Sequence, residues 1–326
     1  MSMSSVQTRR QHEALVAVHQ AAIIDFIASF ADQALRVELM LTPKPGLVDQ
    51  RNSGAHHDMD LQILLTSARA IASWWPRFVQ IGYTWASMPA ADFLSIVRPA
   101  GVLCEQSMFA ATRGINTHKG TIFSLGLLCC AAGRLLGKGI GLNAERLCSE
   151  VASICVGMVD RELKIAYPSK TGGERSFTSY GITGARGEAA SGFALVRQVA
   201  LPAYDDLRSE DAGEEPALLE VLLHLLAINE DTNLISRGGL AGLNYVRKYA
   251  RKLISEGGMR APDALGKIKT FDDELIARHL SPGGSADLLG VTWFLAQFAP
   301  GPRSCTAGAN KPSASSSILL TPVPPW

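Results

Sequence analysis

Apolar residues recur at spacings of three and four along almost the whole chain, whereas the alternation typical of strands is nearly absent. The pattern is clearest over residues 21–40, where Ile27, Ala31 and Leu35 share one helical face with further apolar residues. Residues 61–80 form a second predicted helix, which Pro76 is expected to bend or end. The same spacing predicts further helices over residues 91–112, 120–136, 144–163, 185–201, 216–228, 241–255, 261–279 and 286–298. The sequence therefore predicts an all-α fold, a single multi-helix domain of about ten helices.

The length and composition of the chain indicate one large folded domain. A chain of 326 residues with 47% hydrophobic and 19% charged residues can bury a large core and has the composition of a soluble globular protein. We predict one all-helical domain over residues 21–300, preceded by a flexible segment, 1–20, and followed by a disordered tail rich in Pro and Ser, 301–326. The first residues lack the apolar region of a signal peptide, and no run of about 18 apolar residues predicts a membrane span.

Charge and cysteine content exclude several classes of partner. A formal net charge of +1 argues against nucleic-acid binding, which relies on surplus Lys and Arg, so any phosphate ligand must be met by local clusters. The six cysteines form no CxxC pair and mostly fall in apolar helical segments. We therefore predict that they are reduced and structural, and that the protein is cytoplasmic and bound neither to nucleic acid nor to a membrane.

The most polar irregular stretch is Leu41–Asp60, LTPKPGLVDQRNSGAHHDMD, which lies between two predicted helices. Pro43 and Pro45 fix two φ angles and disfavour helical geometry in the residues before them, which predicts a fixed backbone. The alternative is a solvated loop in which Asp58 caps the next helix. Asp58 and Asp60 are two residues apart, so both carboxylates can serve one hard cation such as Mg²⁺.

Glycine and charge also collect in the later linkers, which read TRGINTHKG (112–120), TGGER (171–175), GARGEAASG (184–192), NEDTNLISRGG (229–239) and LSPGGSAD (280–287). The first of these precedes a buried helix, whose free N–H groups together with Lys119 predict a phosphate seat. The alternative there is a Thr117 cap beside a solvated lysine. Arg175 and Arg237 adjoin paired glycines and suit a phosphate.

Carboxylates in two of these linkers have both a functional and a structural interpretation. Glu230, Asp231 and Asn233 carry oxygens that suit Mg²⁺ or a ribose, although Asp231 alone can be a helix cap. Glu188 lies among small residues, which usually indicate close helix packing with the glutamate complementing the helix dipole. Because the linkers of a bundle can converge at one end, we predict that these loops form one Mg²⁺-nucleotide site. No Walker loop, GxGxxG after a strand or GxSxG elbow is present.

The strings LTPKPGLVDQRNSGAHHDMD, GINTHKGTIFSLGLL, TGGER, GARGEAASGF, EDTNLISRGG and LSPGGSADLL resemble those of the triphosphoribosyl-dephospho-CoA synthases, in the same order, over Arg36 to Phe298. The resemblance implies an all-helical fold and transfer of the triphosphoribosyl group of ATP to the 2'-hydroxyl of 3'-dephospho-CoA, with release of adenine. It also implies that a holo-acyl-carrier-protein synthase uses the product for citrate lyase or malonate decarboxylase, and the sequence leans weakly to malonate. Whether the chain forms a homo-oligomer is left open.

Displacing adenine from C1' of a ribose resembles glycoside cleavage, which requires carboxylates near the reacting carbon. We predict that Asp58, Asp60 and Asp231 hold Mg²⁺ and the triphosphate, and that Glu188 or Glu230 is the base. His56 or His118 would assist the leaving adenine. The predicted contacts to phosphate and substrate are Lys44, Asn52, Asn116, Lys119, Arg175, Arg186, Asn233, Arg237 and Ser281.

Two other classes fit parts of the pattern. A Mg²⁺-dependent hydrolase that cleaves the N-glycosidic bond of an ADP-ribose-like nucleotide would use the same acidic loops, with water as the acceptor. A non-catalytic nucleotide sensor would need fewer carboxylates than these linkers carry. We therefore place the transferase first.

Overall fold

The computed structural model describes residues 3–164, 171–210 and 212–298, with side chains from residue 18 onward. Within these residues the chain forms α-helices and no strand, so the all-α prediction is confirmed. The helices are α1 Met3–Met40, α2 Leu61–Ile71, α3 Trp74–Thr84, α4 Leu94–Ala111, α5 Lys119–Gly137, α6 Ala144–Ile154, α7 Met158–Glu162, α8 Gly172–Tyr180, α9 Gly184–Ala190, α10 Leu201–Ser209, α11 Glu214–Ile228, α12 Thr232–Ser255, α13 Ala264–Ala277 and α14 Gly283–Ala296.

Helix α5 is the centre of the core, and most of its residues are buried by α3, α1, α14 and their neighbours. By length and composition it is also the one helix in the described part of the chain that could cross a membrane. The structure buries 78% of that apolar window inside the protein. Burial of this extent is expected for a core helix, whose apolar surface is covered by other helices.

Helices α3 and α5 touch at the backbone because glycines line their contact. A Cβ added at Gly82 would lie 2.1 Å from the carbonyl oxygen of Cys130, and one at Gly133 would lie 2.0 Å from that of Val79. No side chain can occupy those positions unless the helices move apart. This contact fixes α5, whose first residues form part of the site described below.

Several predicted helices are divided in the structure, and glycine or proline accounts for the divisions. The predicted helix 61–80 ends at Ile71 and α3 starts at Trp74, so Pro76 lies in a first helical turn, where its missing N–H leaves no bond unmade. Left-handed Gly157 (φ 68°) separates α6 from α7. The predicted linker 171–175 is instead the start of α8, with a capping box between Thr171 and Glu174.

The predictions also cover the ends of the chain and the cysteines. Residues 3–20 belong to α1, and the flexibility predicted for segment 1–20 stays a prediction. The predicted tail, 301–326, lies outside the described residues. The five cysteines within the described residues are free and buried, and Cys305 lies outside them.

The backbone contact between α3 and α5 predicts a large effect of a single methyl group. Gly133→Ala is expected to lower the free energy of unfolding by about 1–3 kcal/mol, because the added Cβ meets the carbonyl of Val79. Gly101 of α4 is the matched control, since a Cβ there meets no atom within 4 Å. Gly101→Ala should leave stability unchanged or raise it by up to about 1 kcal/mol through helix propensity. Urea unfolding followed by circular dichroism measures both, and a wild-type midpoint for Gly133→Ala would contradict the contact.

Candidate active site

One cavity of about 530 Å³ receives residues from every linker that the sequence singled out. The predicted convergence of the loops is therefore confirmed. The predicted site residues that line the cavity are His56, Asp58, Asn116, His118, Lys119, Glu188, Glu230, Asp231, Asn233, Arg237 and Ser281.

The N-terminal ends of helices α5, α8, α12 and α14 all reach this cavity. Free backbone N–H groups and the helix dipole make such ends favourable for anions. Glycines without side chains occupy the first turns and let a ligand approach the backbone closely. The cavity-lining glycines at helix starts are Gly120, Gly172, Gly173, Gly184, Gly283 and Gly284.

Asp231 ties two of these helix ends together from a buried position. Its Oδ1 accepts hydrogen bonds from the N–H groups of Asn233 (2.9 Å) and Leu234 (3.4 Å), so it is the N-cap of α12. Its Oδ2 accepts from the backbone N–H (2.8 Å) and the hydroxyl (3.0 Å) of Ser285, near the start of α14. Burial raises the pKa of Asp231 despite these hydrogen bonds. The carboxylate predicted as a metal ligand thus also has a structural role.

A second carboxylate, that of the half-buried Asp287, lies in the wall of the same cavity. Its Oδ1 accepts a hydrogen bond of 2.6 Å from the Thr121 hydroxyl, and a Cβ at Gly120 would lie 1.9 Å from its Oδ2. Burial raises the pKa of Asp287 to about 7, and the negative charges of Glu38 and Asp231 add to the shift. Gly120 therefore leaves the room that this carboxylate occupies.

Glu38 of α1 also lines the cavity and is paired with Lys44. The Lys44 ammonium lies 2.5 Å from Glu38 Oε1 and 2.7 Å from the Glu38 carbonyl oxygen, and Lys44 is 1% exposed. Lys44 was predicted to contact phosphate, but it does not line the cavity and its charge is engaged by Glu38. A buried ion pair of this kind compensates both charges, and loss of one partner would leave the other unpaired.

His118 lines the cavity, and one of its two ring nitrogens has no hydrogen-bond partner. Its Nδ1 lies 2.8 Å from the Ser67 hydroxyl, whereas its buried Nε2 has no hydrogen-bond partner. Burial, with the nearby charge of Lys44, lowers the pKa of His118 to about 3, so the ring is neutral at physiological pH. We infer that the Ser67 hydroxyl donates its hydrogen bond to Nδ1, which places the ring proton on Nε2.

His56, which also lines the cavity, lies between three polar side chains. Its Nε2 lies 2.8 Å from the Ser281 hydroxyl, and its Nδ1 lies 3.1 Å from an Arg237 nitrogen and 3.4 Å from Asp58 Oδ1. Burial and the charge of Arg237 lower the pKa of His56, against an opposing effect of Asp58. Arg237 also donates to the carbonyl oxygen of Ala55 at 3.0 Å. These contacts hold a cation and a neutral imidazole at the cavity edge.

The two predicted bases lie in different surroundings. Glu188 is mostly buried, accepts a 3.3 Å hydrogen bond from the N–H of Leu195, and has a pKa raised by burial. The Glu230 side chain is 56% exposed and lies 4.0 Å from Arg247. A carboxylate whose pKa is raised toward neutrality is the better general base, which favours Glu188.

Four other predicted residues do not line this cavity, and each has a different position in the structure. Asn52 donates to Asp272 at 2.9 Å and accepts from the N–H of Gly54, so it fixes the 41–60 loop. Asp60 is the N-cap of α2 and accepts from the N–H of Ile63. Arg175 belongs to α8 and is not part of the lining. Arg186 lines an adjoining cavity, where its Nε lies 3.0 Å from Glu162.

The predicted metal set of Asp58, Asp60 and Asp231 is not assembled in the structure. Asp60 caps α2, both oxygens of Asp231 accept backbone or hydroxyl hydrogens, and Asp58 is beside His56. Among the described residues, no three His, Cys, Asp or Glu side chains are grouped to hold a metal ion. A dedicated all-protein metal cage is therefore not part of the described structure.

Sequence reasoning missed Glu38, Thr121 and Asp287 as parts of this site. A signal for Glu38 existed, because it lies four residues after Ala34 and three after Leu35, on the buried stripe of α1. An acid on such a stripe requires a partner or a function. Asp287 stood at the end of a linker already noted for its glycines, but its burial depends on the position of α5.

An all-helical domain whose cavity joins helix N-termini, cations and buried carboxylates belongs to the class of proteins that bind a phosphorylated small molecule. The family model for ATP:dephospho-CoA triphosphoribosyl transferase matches residues 24–304, and the chain belongs to this family. The resemblance inferred from the linker motifs is thereby confirmed.

Bacterial relatives with curated names agree with the family match. The chain is 51% identical over 276 residues to 2-(5''-triphosphoribosyl)-3'-dephosphocoenzyme-A synthase of Klebsiella pneumoniae, which covers 84% of this chain and 91% of the relative. It is 47% identical over 303 residues to the protein of that name from Escherichia fergusonii, covering 92% and 98% of the two chains. No solved structure matches the chain.

The raised pKa of Asp287 predicts a specific pH dependence of stability. An aspartate in the unfolded chain has a pKa of about 3.9, whereas the folded protein holds this proton up to about pH 7. Between these values the folded state binds more protons, so the contribution of this group to stability falls as pH rises from about 4 to about 7. Asp287→Asn removes that loss. As the pH rises from 5 to 8, we expect the free energy of unfolding of the variant to increase relative to that of wild type by on the order of 2 kcal/mol.

Urea unfolding in metal-free buffer, at several values between pH 5 and pH 8, measures this difference. Glu145→Gln, an exposed change in the first turn of α6, is the control and should show a difference that varies little with pH. A difference for Asp287→Asn that is equally independent of pH would contradict the shifted titration.

Proposed function

We propose that this chain transfers the triphosphoribosyl group of ATP to the 2'-hydroxyl of 3'-dephospho-CoA and releases adenine. Membership of the transferase family supports this reaction over hydrolysis of an N-glycosidic bond. The observation that carries it is the meeting of the N-terminal ends of α5, α8, α12 and α14 at one cavity. Such an arrangement suits a triphosphate, because the partial positive charges of several helix ends act on it together.

The triphosphate needs cations as well as helix ends. Lys119 begins α5 and Arg237 lies at the cavity edge, so both can neutralise phosphate oxygens. Asn116 and Asn233 line the cavity beside the starts of α5 and α12 and can contact the sugar or phosphates. Lys44 contributes indirectly, since its ion pair fixes Glu38 in the wall.

In the proposed reaction the 2'-oxygen of dephospho-CoA forms a bond to C1' of the ATP ribose, and the bond from C1' to N9 of adenine breaks. Glu188 accepts the proton of the attacking hydroxyl, and the bonding electron pair leaves with adenine, which takes up one proton. The Nε2–H of His118 can donate a hydrogen bond to the departing ring. The positive charge that develops at C1' is stabilised by the surrounding carboxylates.

Mg²⁺ fits this site as a companion of the substrate. The ion usually keeps several waters and binds through one or two carboxylates together with substrate phosphates, so no protein cage is required. Asp287 is the residue that would hold it, because its negative charge adds to those of Glu38 and Asp231 and has little compensation in the cavity wall. When bound, the ion would supply positive charge to the triphosphate.

The metabolic setting follows from the chemistry of the product. We propose that a holo-acyl-carrier-protein synthase uses the product as the precursor of a prosthetic group, for citrate lyase or malonate decarboxylase. Because ATP and dephospho-CoA are intracellular metabolites, the proposed location is the cytoplasm.

The reaction is tested by measuring adenine release from ATP, with and without 3'-dephospho-CoA, and by mass spectrometry of the CoA product. We expect release to require dephospho-CoA, to stop when EDTA removes Mg²⁺, and to yield an adduct larger by one triphosphoribosyl unit. Release of adenine without dephospho-CoA would favour the hydrolase instead. ATP binding without any turnover would contradict both enzymes and favour a sensor.

The assignment of the base gives a second test. Glu188→Gln should lower kcat by about 10²–10⁴-fold, because the amide cannot accept the proton, while the Kd for ATP changes little. Glu230→Gln is the matched comparison, since Glu230 lines the same cavity but is largely exposed. Its kcat should fall less than threefold. Full turnover by Glu188→Gln, or a large loss confined to Glu230→Gln, would overturn the assignment.

A further inference from the structure

A second cavity, of about 380 Å³, adjoins the first between helices α4, α5, α7 and α9. Residues from the starts of α5, α8, α9 and α12 form the boundary, so one ligand can extend from one cavity into the other. The residues that line both cavities are Lys119, Gly120, Gly173, Gly184, Ala185 and Thr232.

The inner part of the second cavity is hydrocarbon, in contrast to the polar first cavity. Its buried walls come from several helices, and its outer edge at Gly101 and Val102 is open, since Val102 is 53% exposed. A ligand with both apolar and amide groups can bury its apolar groups here and keep its amides in water. The buried apolar wall residues are Phe78, Leu94, Val97, Ile122, Leu127 and Met158.

Charged side chains line part of this cavity, namely Arg98, Lys119 and Arg186 together with Glu105 and Glu162. Arg98 and Arg186 both pair with Glu162, and the Lys119 ammonium lies 3.0 Å from Glu105. These ion pairs hold the three cations at the cavity wall. A diphosphate can replace these carboxylates, and Arg and Lys are the residues that bind phosphate oxygens.

The acceptor of the proposed reaction has a matching order of groups. Its ribose 2'-hydroxyl has to reach the reacting carbon in the first cavity, its diphosphate follows, and its pantetheine arm lies beyond the diphosphate. The geometry points to the second cavity as the subsite for the pantetheine arm, with Arg98 and Arg186 at the diphosphate. This inference rests on the proposed function, because it takes dephospho-CoA as the acceptor.

The adenine of ATP is the competing occupant, and the structure favours it less. Adenine is bonded directly to the reacting carbon, so cations between the cavities would have no phosphate to meet. Its ring nitrogens would also be buried against the apolar side chains of Leu94, Val97 and Ile122.

The test fills the second cavity without disturbing the fold. Gly101→Leu adds a side chain at a helical position where a Cβ meets no atom within 4 Å, and Gly126→Ala adds a methyl at ordinary contact distance from Phe78. Gln106→Leu, an exposed change on the same helix as Gly101 that lines neither cavity, is the control. Unchanged circular dichroism and thermal unfolding establish that each variant is folded.

Isothermal titration calorimetry then measures the Kd for dephospho-CoA, for ATP, and for ADP, which lacks the pantetheine arm. We expect Gly101→Leu to weaken dephospho-CoA binding about tenfold or more, because buried apolar contacts are lost. Gly126→Ala should have a smaller effect in the same direction. The Kd values for ATP and ADP should stay within twofold of wild type, and Gln106→Leu should change none of the three.

Weakened ATP binding with unchanged dephospho-CoA binding would assign the cavity to adenine and overturn the inference. Unchanged binding of both ligands by Gly101→Leu would overturn it as well. Failure of the proposed function is seen separately, as absence of adenine release by the wild-type protein, and it leaves the binding comparison measurable.

Discussion

The buried carboxylate of Asp231 is the contact on which the geometry of the site depends. It caps α12 through its own turn and accepts two hydrogen bonds from Ser285, so the starts of α12 and α14 are held side by side. Burying a charge costs free energy, and here several N–H and O–H donors and two helix dipoles offset that cost. The pKa of Asp231 is raised all the same, because burial outweighs the donors. Asparagine, which has the same shape, would keep one acceptor oxygen but turn an NH₂ group toward the other helix start, whose N–H would be left unpaired. The carboxylate is therefore a structural requirement before it is a chemical one.

Given that constraint, the remaining helix ends can act together on an anion. The start of α5 is set by the backbone contact with α3, and Gly120 at that start gives Asp287 its place. Each helix end contributes only a partial charge that falls off within a turn. Several ends on one cavity contribute where one would be too weak, and glycines in the first turns keep the distance short. A triphosphate can therefore be bound with few free lysines and arginines, which is consistent with a chain of almost zero net charge.

The helices and the convergence of the linkers could be predicted from the sequence, because periodicity and glycine positions are local properties. The fate of single polar residues could not. The sequence predicts Asn52 as a substrate contact, yet its hydrogen-bond partner is Asp272, which is 220 residues away in the sequence. Lys44 was assigned to phosphate, but it is held by Glu38, a residue of the preceding helix that lies inside the core face. Asp60 shows a further ambiguity, since a carboxylate just before a helix serves equally well as a cap or as a ligand.

The cavity also brings carboxylates close to the place where an anionic substrate would bind, and their partners explain how both can coexist. Glu38 is neutralised by Lys44, and Asp231 is solvated by N–H groups, so neither presents a full free charge. Asp287 has weaker compensation, which is why burial and its acidic neighbours raise its pKa to about 7. A wall of this kind repels a triphosphate less when a cation accompanies the triphosphate. The same wall would stabilise a positively charged carbon of the ribose. In the proposed reaction, the carboxylates that oppose binding of free phosphate are thus the same groups that would favour cleavage of the bond to adenine.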